Sequence, residues 1–160
     1  IVRRLVGSEM CIRDSINMKI LVLNGPNLNL LGIREEDIYG NETLQDLEHK
    51  LKEIADEVNA EISFYQSNAE HDLINAIHDA YKADVELIIF NPAAYTHTSV
   101  ALRDALLGVG IPFYEVHISD IKTREEFRQK SYFSDIAIKV FSGHGTNGYL
   151  LALKEALKIS

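Results

Sequence analysis

Two side chains that could exchange a proton lie on one long polar segment. Residues 24–40 read NGPNLNLLGIREEDIYG and carry Arg34 and, five residues later, Tyr39. A phenol normally ionises near about pH 10, and a neighbouring guanidinium favours the phenolate. Gly32 and Gly40 bracket this part of the segment, so we expect it to close over a ligand and exclude water. We interpret Tyr39 as a base and Arg34 as the cation that activates it. The alternative is an exposed tyrosine beside a solvated arginine.

A second candidate pair, Glu115 and His117, ends the stretch PFYEVH. Residues two apart in a strand point to the same side, so the carboxylate can orient the imidazole. A histidine held in this way suits proton transfer near neutral pH. The alternative is a histidine that is hydrogen-bonded for structure alone.

Two further stretches could bind a polar ligand. NPAAYTHTS contains Asn91, His97 and Ser99, and a side-chain amide at a strand end can bind a hydroxyl group. ISDIKTREEFR contains Arg124 and Arg128, which would share one face of a helix and suit an anion. The alternatives are simple helix capping for the first stretch and an exposed charged face for the second.

The sequence argues against metal, acyl-transfer and dinucleotide chemistry. No two histidines have the H-x-x-x-H spacing, and Cys11 is the only cysteine. Ser99 lacks a G-x-S-x-G elbow. The stretch GHGTNG, residues 143–148, fits the dinucleotide-binding pattern G-x-G-x-x-G. A dinucleotide site also needs a following strand and an acidic residue about 20 positions later, and neither follows this stretch. We interpret it as a tight strand-to-helix turn, and we expect neither a metal nor a cofactor.

Hydrophobic periodicity predicts five strands that alternate with helices. The predicted strands are 19–23, 61–66, 86–90, 112–117 and 136–141, and the predicted helices are 43–58, 70–82, 98–107, 124–130 and 146–158. Tyr81 is placed in the apolar stripe of the second helix. This alternation predicts a flavodoxin-like α/β sandwich, with a parallel sheet in the order 2-1-3-4-5 and helices on both faces. Ligands bind such sheets beyond the carboxyl ends of the strands, so residues 24–39, 91–98 and 115–119 should converge.

Length and charge narrow the class of protein. The 160 residues suit one domain, and a net charge of -8 argues against a nucleic-acid partner. No apolar run is long enough to span a bilayer, and the single cysteine suggests a reducing, cytoplasmic setting. Residues 1–17, IVRRLVGSEMCIRDSIN, show no strand or helix period. We expect them to be a disordered or non-native extension of a single catalytic domain, residues 18–160.

Four motifs together resemble the type II 3-dehydroquinate dehydratases over residues 18–159: NGPNLNLLGIREEDIYG, NPAAYTHTSVALRD, EVHISDIKTREEFR and SGHGTNGYLLAL. The resemblance implies a flavodoxin-like fold and a dodecamer built from trimers. It implies a lyase that converts 3-dehydroquinate to 3-dehydroshikimate and water by trans elimination through an enolate, without metal or cofactor. The step would serve the shikimate pathway, and so aromatic amino acid biosynthesis, or quinate catabolism. The competing hypothesis is a non-catalytic flavodoxin-like binding module.

The resemblance also implies roles for individual residues. Tyr39 would be the base at C2 of the substrate and Arg34 its activator, while Asn27 would help to hold a water at the enolate oxygen. His117 would protonate the leaving hydroxyl group, oriented by Glu115. The implied substrate contacts are Asn91, His97 and Arg128 to hydroxyl groups, the backbone of Ile118 and Ser119 to the carboxylate, and Asp104 to the site of a neighbouring subunit.

Overall fold

The computed structural model describes residues 17–33, 37 and 40–160. Within them the five strands are β1 (Lys19–Asn24), β2 (Glu61–Gln66), β3 (Leu87–Asn91), β4 (Phe113–His117) and β5 (Lys139–Ser142). The helices are α1 (Leu44–Glu57), α2 (Glu70–Lys82), α3 (Val100–Val109) and α4 (Asn147–Leu157). The predicted extension, residues 1–17, lies almost wholly outside the described residues, and this prediction stays a prediction.

The strands form one parallel sheet in the order β2-β1-β3-β4-β5, as predicted. β1 pairs with β2 on one side and β3 on the other, and Asn24 at its carboxyl end lies beside Gln66 and Asn91. The strand order reverses between β1 and β3, because β2 lies outside β1. The flavodoxin-like α/β fold is therefore confirmed, and the ends of β1, β3 and β4 lie next to one another.

Each face of the sheet buries its own hydrophobic core. Ile20, Val22 and Ile89 contribute to the face covered by α1 and α4. Leu21, Leu23 and Phe90 contribute to the face covered by α2 and α3. Because neighbouring residues of β1 point to opposite faces and both faces are covered, residues 20–23 must all be apolar, and all four are buried.

Side-chain caps set the starts of two helices. Thr43 and Asp46 form a reciprocal capping box at the start of α1. Ser99 accepts a hydrogen bond from the backbone of Leu102 and caps α3. The predicted start of α3 at residue 98 is therefore two residues too early. Among the described residues, no helix combines the length and apolar character needed to cross a bilayer.

The predicted helix at 124–130 is wrong. Two short 3-10 turns, Ile121–Thr123 and Glu126–Arg128, lie there instead. Glu125 between them has ψ near 150°, which interrupts a helix. Side-chain bonds stabilise the turns: Asp120 accepts from the backbone of Lys122, and Gln129 donates to the carbonyl of Arg124.

Two other predictions need correction. β5 covers Lys139–Ser142 rather than 136–141, because the backbone N–H groups of Ile136 and Ala137 both bond to the carbonyl of Phe133 and form a turn. The prediction that Tyr81 belongs to the apolar stripe of α2 is wrong, because Tyr81 is 63% exposed. Ala80 takes the buried position beside it, together with Leu73 and Ile77.

Candidate active site

A cavity of about 300 Å³ lies at the carboxyl edge of the sheet, between the ends of β1, β3 and β4. This is the edge at which the topology predicts a ligand. Its described lining is Pro26, Asn27, Leu28, Leu31, Asn91, Ala93, Ala94, His97, His117, Ile118, Ser119, Ile121, Arg124 and Arg128.

Most of the candidate site residues meet at this cavity. Asn27, Asn91, His97, His117, Ile118, Ser119 and Arg128 line it, and Glu115 lies behind His117. Asp104 does not line the cavity; it is exposed on α3. Arg34 and Tyr39 lie outside the described residues, so their predicted roles stay predictions.

His117 and Glu115 form a buried pair at the end of β4. Nε2 of His117 is hydrogen-bonded to Oε2 of Glu115, and the two side chains are 5% and 0% exposed. Burial opposes ionisation of Glu115, but hydrogen bonds from His117, Ser131 and Ser134 outweigh it and hold its pKa below the ordinary value. Because an ionised carboxylate only accepts hydrogen bonds, Nε2 carries a hydrogen, and Nδ1 is the ring nitrogen left for the cavity.

Two serines complete the environment of Glu115, and neither was predicted. Ser131 Oγ lies 2.6 Å from Oε2, and Ser134 Oγ lies 2.8 Å from Oε1. Both belong to the irregular segment between β4 and β5, which has no period that would indicate which side chains turn inward. The only signal that could have indicated these two contacts was chemical, because a buried carboxylate requires hydrogen-bond donors.

The end of β1 approaches β3 very closely at Gly25. A β-carbon placed there would lie 2.4 Å from the carbonyl oxygen of Pro92, and the Gly25 N–H donates to the carbonyl of Asn91 at 2.8 Å. Asn27 follows with φ of 70°, and its backbone N–H donates to the side chain of Asn68. Glycine at position 25 thus allows two cavity-lining segments to pack side by side.

The segment that carries Arg34 and Tyr39 begins and ends at one place beside the cavity. Gly32 has φ of 91°, and a β-carbon there would lie 3.0 Å from the carbonyl oxygens of both Asn41 and Glu42. The side chain of Glu42 in turn contacts Thr146 and Lys50. Leu28 and Leu31, just before Gly32, line the cavity. We name this junction of Gly32 with Asn41 and Glu42 the loop neck.

Two polar side chains from the β3 end have fixed orientations. Nδ1 of His97 lies 2.8 Å from the carbonyl oxygen of Lys130, and a carbonyl can only accept, so Nδ1 carries the hydrogen. Nε2 is therefore the nitrogen that His97 can offer a ligand. Oδ1 of Asn91 accepts from the backbone N–H of Ala93 at 3.0 Å, and Nδ2 donates to Tyr149 at 2.8 Å.

The GHGTNG turn holds the chain that follows β4. Gly143 and Gly145 donate backbone hydrogen bonds to the carbonyls of His117 and Ile118. The Oγ of Ser142 donates to the carbonyl of Ser119. Gly143 and Gly145 have φ of 82° and 62°, as a tight strand-to-helix turn requires. The predicted turn is confirmed, and it positions the backbone of residues 117–119 at the cavity.

The cavity is suited to a small anion with hydroxyl groups. Arg124 and Arg128 line it together, although the helix that was predicted to align them is absent. Arg124 Nη1 donates to Ser119 Oγ at 3.0 Å, and Arg128 Nε lies 3.1 Å from Glu125. No carboxylate belongs to the described lining. The described residues also contain no group of three or more His, Cys, Asp or Glu side chains that could hold a metal ion.

Comparison with known proteins gives consistent matches. The family model described as dehydroquinase class II matches residues 18–157. The 3-dehydroquinate dehydratase of Alkalilimnicola ehrlichii is 57% identical over 140 residues, which is 88% of this chain and 92% of that protein. The protein of the same name from Hahella chejuensis is 59% identical over 137 residues, 86% of this chain and 93% of that one.

A solved structure agrees with these sequences. The type II dehydroquinase of Butyrivibrio crossotus superimposes with a TM-score of 0.85 at 46% identity, over 89% of this chain and 98% of that one. The family match extends over all three segments that line the cavity. Sequence and fold agree, and the chain therefore belongs to the class II dehydroquinase family.

Proposed function

We propose that the chain dehydrates 3-dehydroquinate to 3-dehydroshikimate and water. The family membership and the names of the relatives support this reaction over a non-catalytic binding module. One structural observation carries the chemistry: a buried histidine–carboxylate pair, His117 and Glu115, at a cavity lined by arginines and no described carboxylate. Such a cavity binds an anionic substrate and supplies one positioned acid.

In the proposed complex Arg124 and the backbone of the cavity bind the substrate carboxylate. Ile118 and Ser119 offer backbone groups, and Arg124 adds positive charge beside Ser119. The hydroxyl groups of the substrate bind Asn91, His97 and Arg128, all of which line the cavity. This set of contacts fixes the ring of the substrate relative to His117.

The elimination then uses an acid and a base on opposite sides of the ring. Tyr39, as phenolate favoured by Arg34, takes the proton from C2, and the charge that develops on the ketone oxygen is stabilised by a water held by Asn27. The bond from C1 to its hydroxyl oxygen breaks, and the double bond forms between C1 and C2. Nδ1 of protonated His117 delivers the proton that turns the leaving hydroxyl into water, while Nε2 keeps its hydrogen bond to Glu115.

The proposed assembly is a dodecamer of trimers in the cytoplasm. The exposed position of Asp104 on α3 leaves it available to the site of a neighbouring subunit. Val100 and Leu107 on the same helix are 55% and 54% exposed, as expected for a helix that packs against another copy. The reaction serves the shikimate pathway or quinate catabolism.

A direct assay tests the reaction. The purified protein mixed with 3-dehydroquinate should produce the ultraviolet absorbance of a conjugated enone. Tyr39→Phe should lose about 10²-fold or more of kcat with little change in substrate affinity, because the phenol of Tyr39 acts as a general base. Tyr81→Phe, at an exposed position of α2, is the matched control and should keep full activity. Absence of enone formation by the unmodified protein would contradict the proposed function.

A further inference from the structure

A chain of buried hydrogen bonds runs from the floor of the cavity into the core. Tyr149 on α4 is 0% exposed and does not line the cavity. Its hydroxyl accepts from Nδ2 of Asn91 at 2.8 Å and donates to Oδ1 of Asn24 at 2.6 Å. Asn24 and Asn91 lie directly opposite each other at the ends of β1 and β3. One tyrosine thus joins two strand ends beneath the candidate site.

The backbone fixes the direction of the hydrogen bonds that the Asn91 side chain makes. The N–H of Ala93 can only donate, so the side-chain atom of Asn91 that faces it at 3.0 Å must be the oxygen. Nδ2 of Asn91 must then face Tyr149, whose oxygen accepts. The single hydrogen of the hydroxyl is left for Oδ1 of Asn24. A flipped Asn91 amide would place its nitrogen against the N–H of Ala93, donor against donor.

Burial makes this orientation costly to change. Asn24 is 0% and Asn91 3% exposed, so water cannot replace a lost partner freely. Burial also raises the pKa of Tyr149 far above the ordinary range, although the hydrogen bond from Asn91 opposes the shift. The hydroxyl therefore keeps its proton and its role as donor to Asn24. The backbone at Ala93 has φ of 53°, an unfavourable value for alanine, and this conformation brings its N–H to Oδ1 of Asn91.

We infer that Tyr149 is a positioning residue for the reaction: it holds the Asn91 amide so that the remaining Nδ2 hydrogen is presented to the substrate as a donor. Oδ1 is held by Ala93 and one Nδ2 hydrogen by Tyr149, which leaves one defined N–H at a residue that lines the cavity. The substrate group at this position is then a hydrogen-bond acceptor, such as a hydroxyl oxygen. This inference rests on the proposed function and adds a buried residue that touches no substrate.

Tyr149→Phe removes the hydroxyl and keeps the ring. Loss of one neutral hydrogen bond changes a binding constant by up to about tenfold, so KM for 3-dehydroquinate should rise about three- to tenfold while kcat falls less. Tyr114→Phe is the matched control. Tyr114 packs partly buried against the same core and does not line the cavity, so its change should leave KM unaltered.

A double-mutant cycle separates positioning from general destabilisation. In an Asn91→Ala background, Tyr149→Phe should no longer raise KM, although it should still lower the melting temperature. Asn24→Ala provides a second test, since it removes the acceptor of the Tyr149 hydrogen and leaves the ring in place. Asn24→Ala should raise KM when it is made in the unmodified protein, and it should not raise KM in the Asn91→Ala background.

Two outcomes would overturn the inference. The first is an unchanged KM in both Tyr149→Phe and Asn24→Ala. The second is that Tyr149→Phe raises KM equally in the unmodified protein and in the Asn91→Ala background. Failure of the proposed function is a different result, because the unmodified protein would then form no enone. In that case the Asn91 amide can still be followed by the NMR signals of its Nδ2 hydrogens, which should shift in Tyr149→Phe.

Discussion

The hydroxyl of Ser131 lies 2.6 Å from Oε2 of Glu115, the same carboxylate oxygen that is hydrogen-bonded to His117. Ser134 binds the other oxygen, Oε1, at 2.8 Å. Glu115 is therefore held as an anion inside the protein by three donors. A fixed carboxylate behind an imidazole determines which ring nitrogen carries the hydrogen.

Replacing this charge should impair turnover more than folding. Glu115→Gln keeps the size of the side chain but removes the negative charge that contacts the imidazole of His117. We expect kcat to fall by about 10²-fold, at the lower end of the contribution of a positioned acid. Steady-state assay of enone formation measures the effect. Glu61→Gln, at an exposed position of β2, is the control, and a similar loss there would contradict the assignment.

The same carboxylate should make stability depend on pH in acid. The folded pKa of Glu115 is lower than its ordinary value of 4.5, because three hydrogen bonds outweigh the opposing effect of burial. Its contribution to stability is therefore complete above the ordinary value and is lost as pH falls through the lowered folded value. Urea unfolding midpoints measured from pH 6 downward should decrease in acid. Glu115→Gln should flatten that part of the profile, and an unchanged slope would disprove the prediction.

The close approach at Gly25 predicts a position that tolerates no side chain. In Gly25→Ala the new carbon would lie 2.4 Å from the backbone oxygen of Pro92, so the ends of β1 and β3 must separate. Overpacking of this kind costs about 1–3 kcal/mol, and we expect activity to fall with it because Asn27 and Asn91 would move apart. Chemical unfolding and the enone assay measure the two effects.

Gly108→Ala is the matched control for that substitution. Gly108 lies in α3, and a β-carbon there would meet no atom within 4 Å. Alanine at a helical position should stabilise the protein by about 0.5–1 kcal/mol and leave turnover unchanged. Gly25→Ala should lower stability and Gly108→Ala should raise it. Opposite changes in stability would show that contact with the backbone of Pro92, and not the loss of a glycine in general, causes the effect at position 25.

The capping box at α1 gives a prediction about stability alone. Thr43→Ala removes the hydroxyl that accepts from the backbone of Asp46, and we expect a loss of about 1 kcal/mol. For a chain of this size that corresponds to a melting temperature about 2–4 °C lower. Thermal unfolding monitored by circular dichroism measures it. A loss below a few tenths of a kcal/mol would show that the cap is replaced by water.

The sequence predicted the fold well because its hydrophobic periods are clear. Leu44, Leu47 and Leu51 recur at helical spacing and are all buried in α1. Glu115 and His117 were paired by the two-residue repeat of a strand, and the structure places them in contact. Where a pattern repeats regularly, the element and its inner face can be read directly.

Prediction was poorer where the chain is irregular. The apolar residues around Ile136 look like the start of β5, but the backbone turns back to Phe133 there. Ser131 and Ser134 reach Glu115 through this same irregular segment, and no local spacing reveals contacts that depend on tertiary folding. Tyr149 reads as an ordinary core aromatic of an amphipathic helix, because its hydrogen bonds join it to residues far away in the sequence.

The loop neck has a consequence for how this protein can change over time. The chain leaves at Gly32 and returns at Asn41 and Glu42, with the two points in contact, so the span between them does not depend on how many residues lie in between. Doubling the length of such a closed segment costs only about 0.6 kcal/mol in chain entropy. Insertions between these points would therefore leave both ends of the segment in place, and the sheet beneath would keep its register. The length of this segment and the stability of the sheet can thus evolve as separable traits.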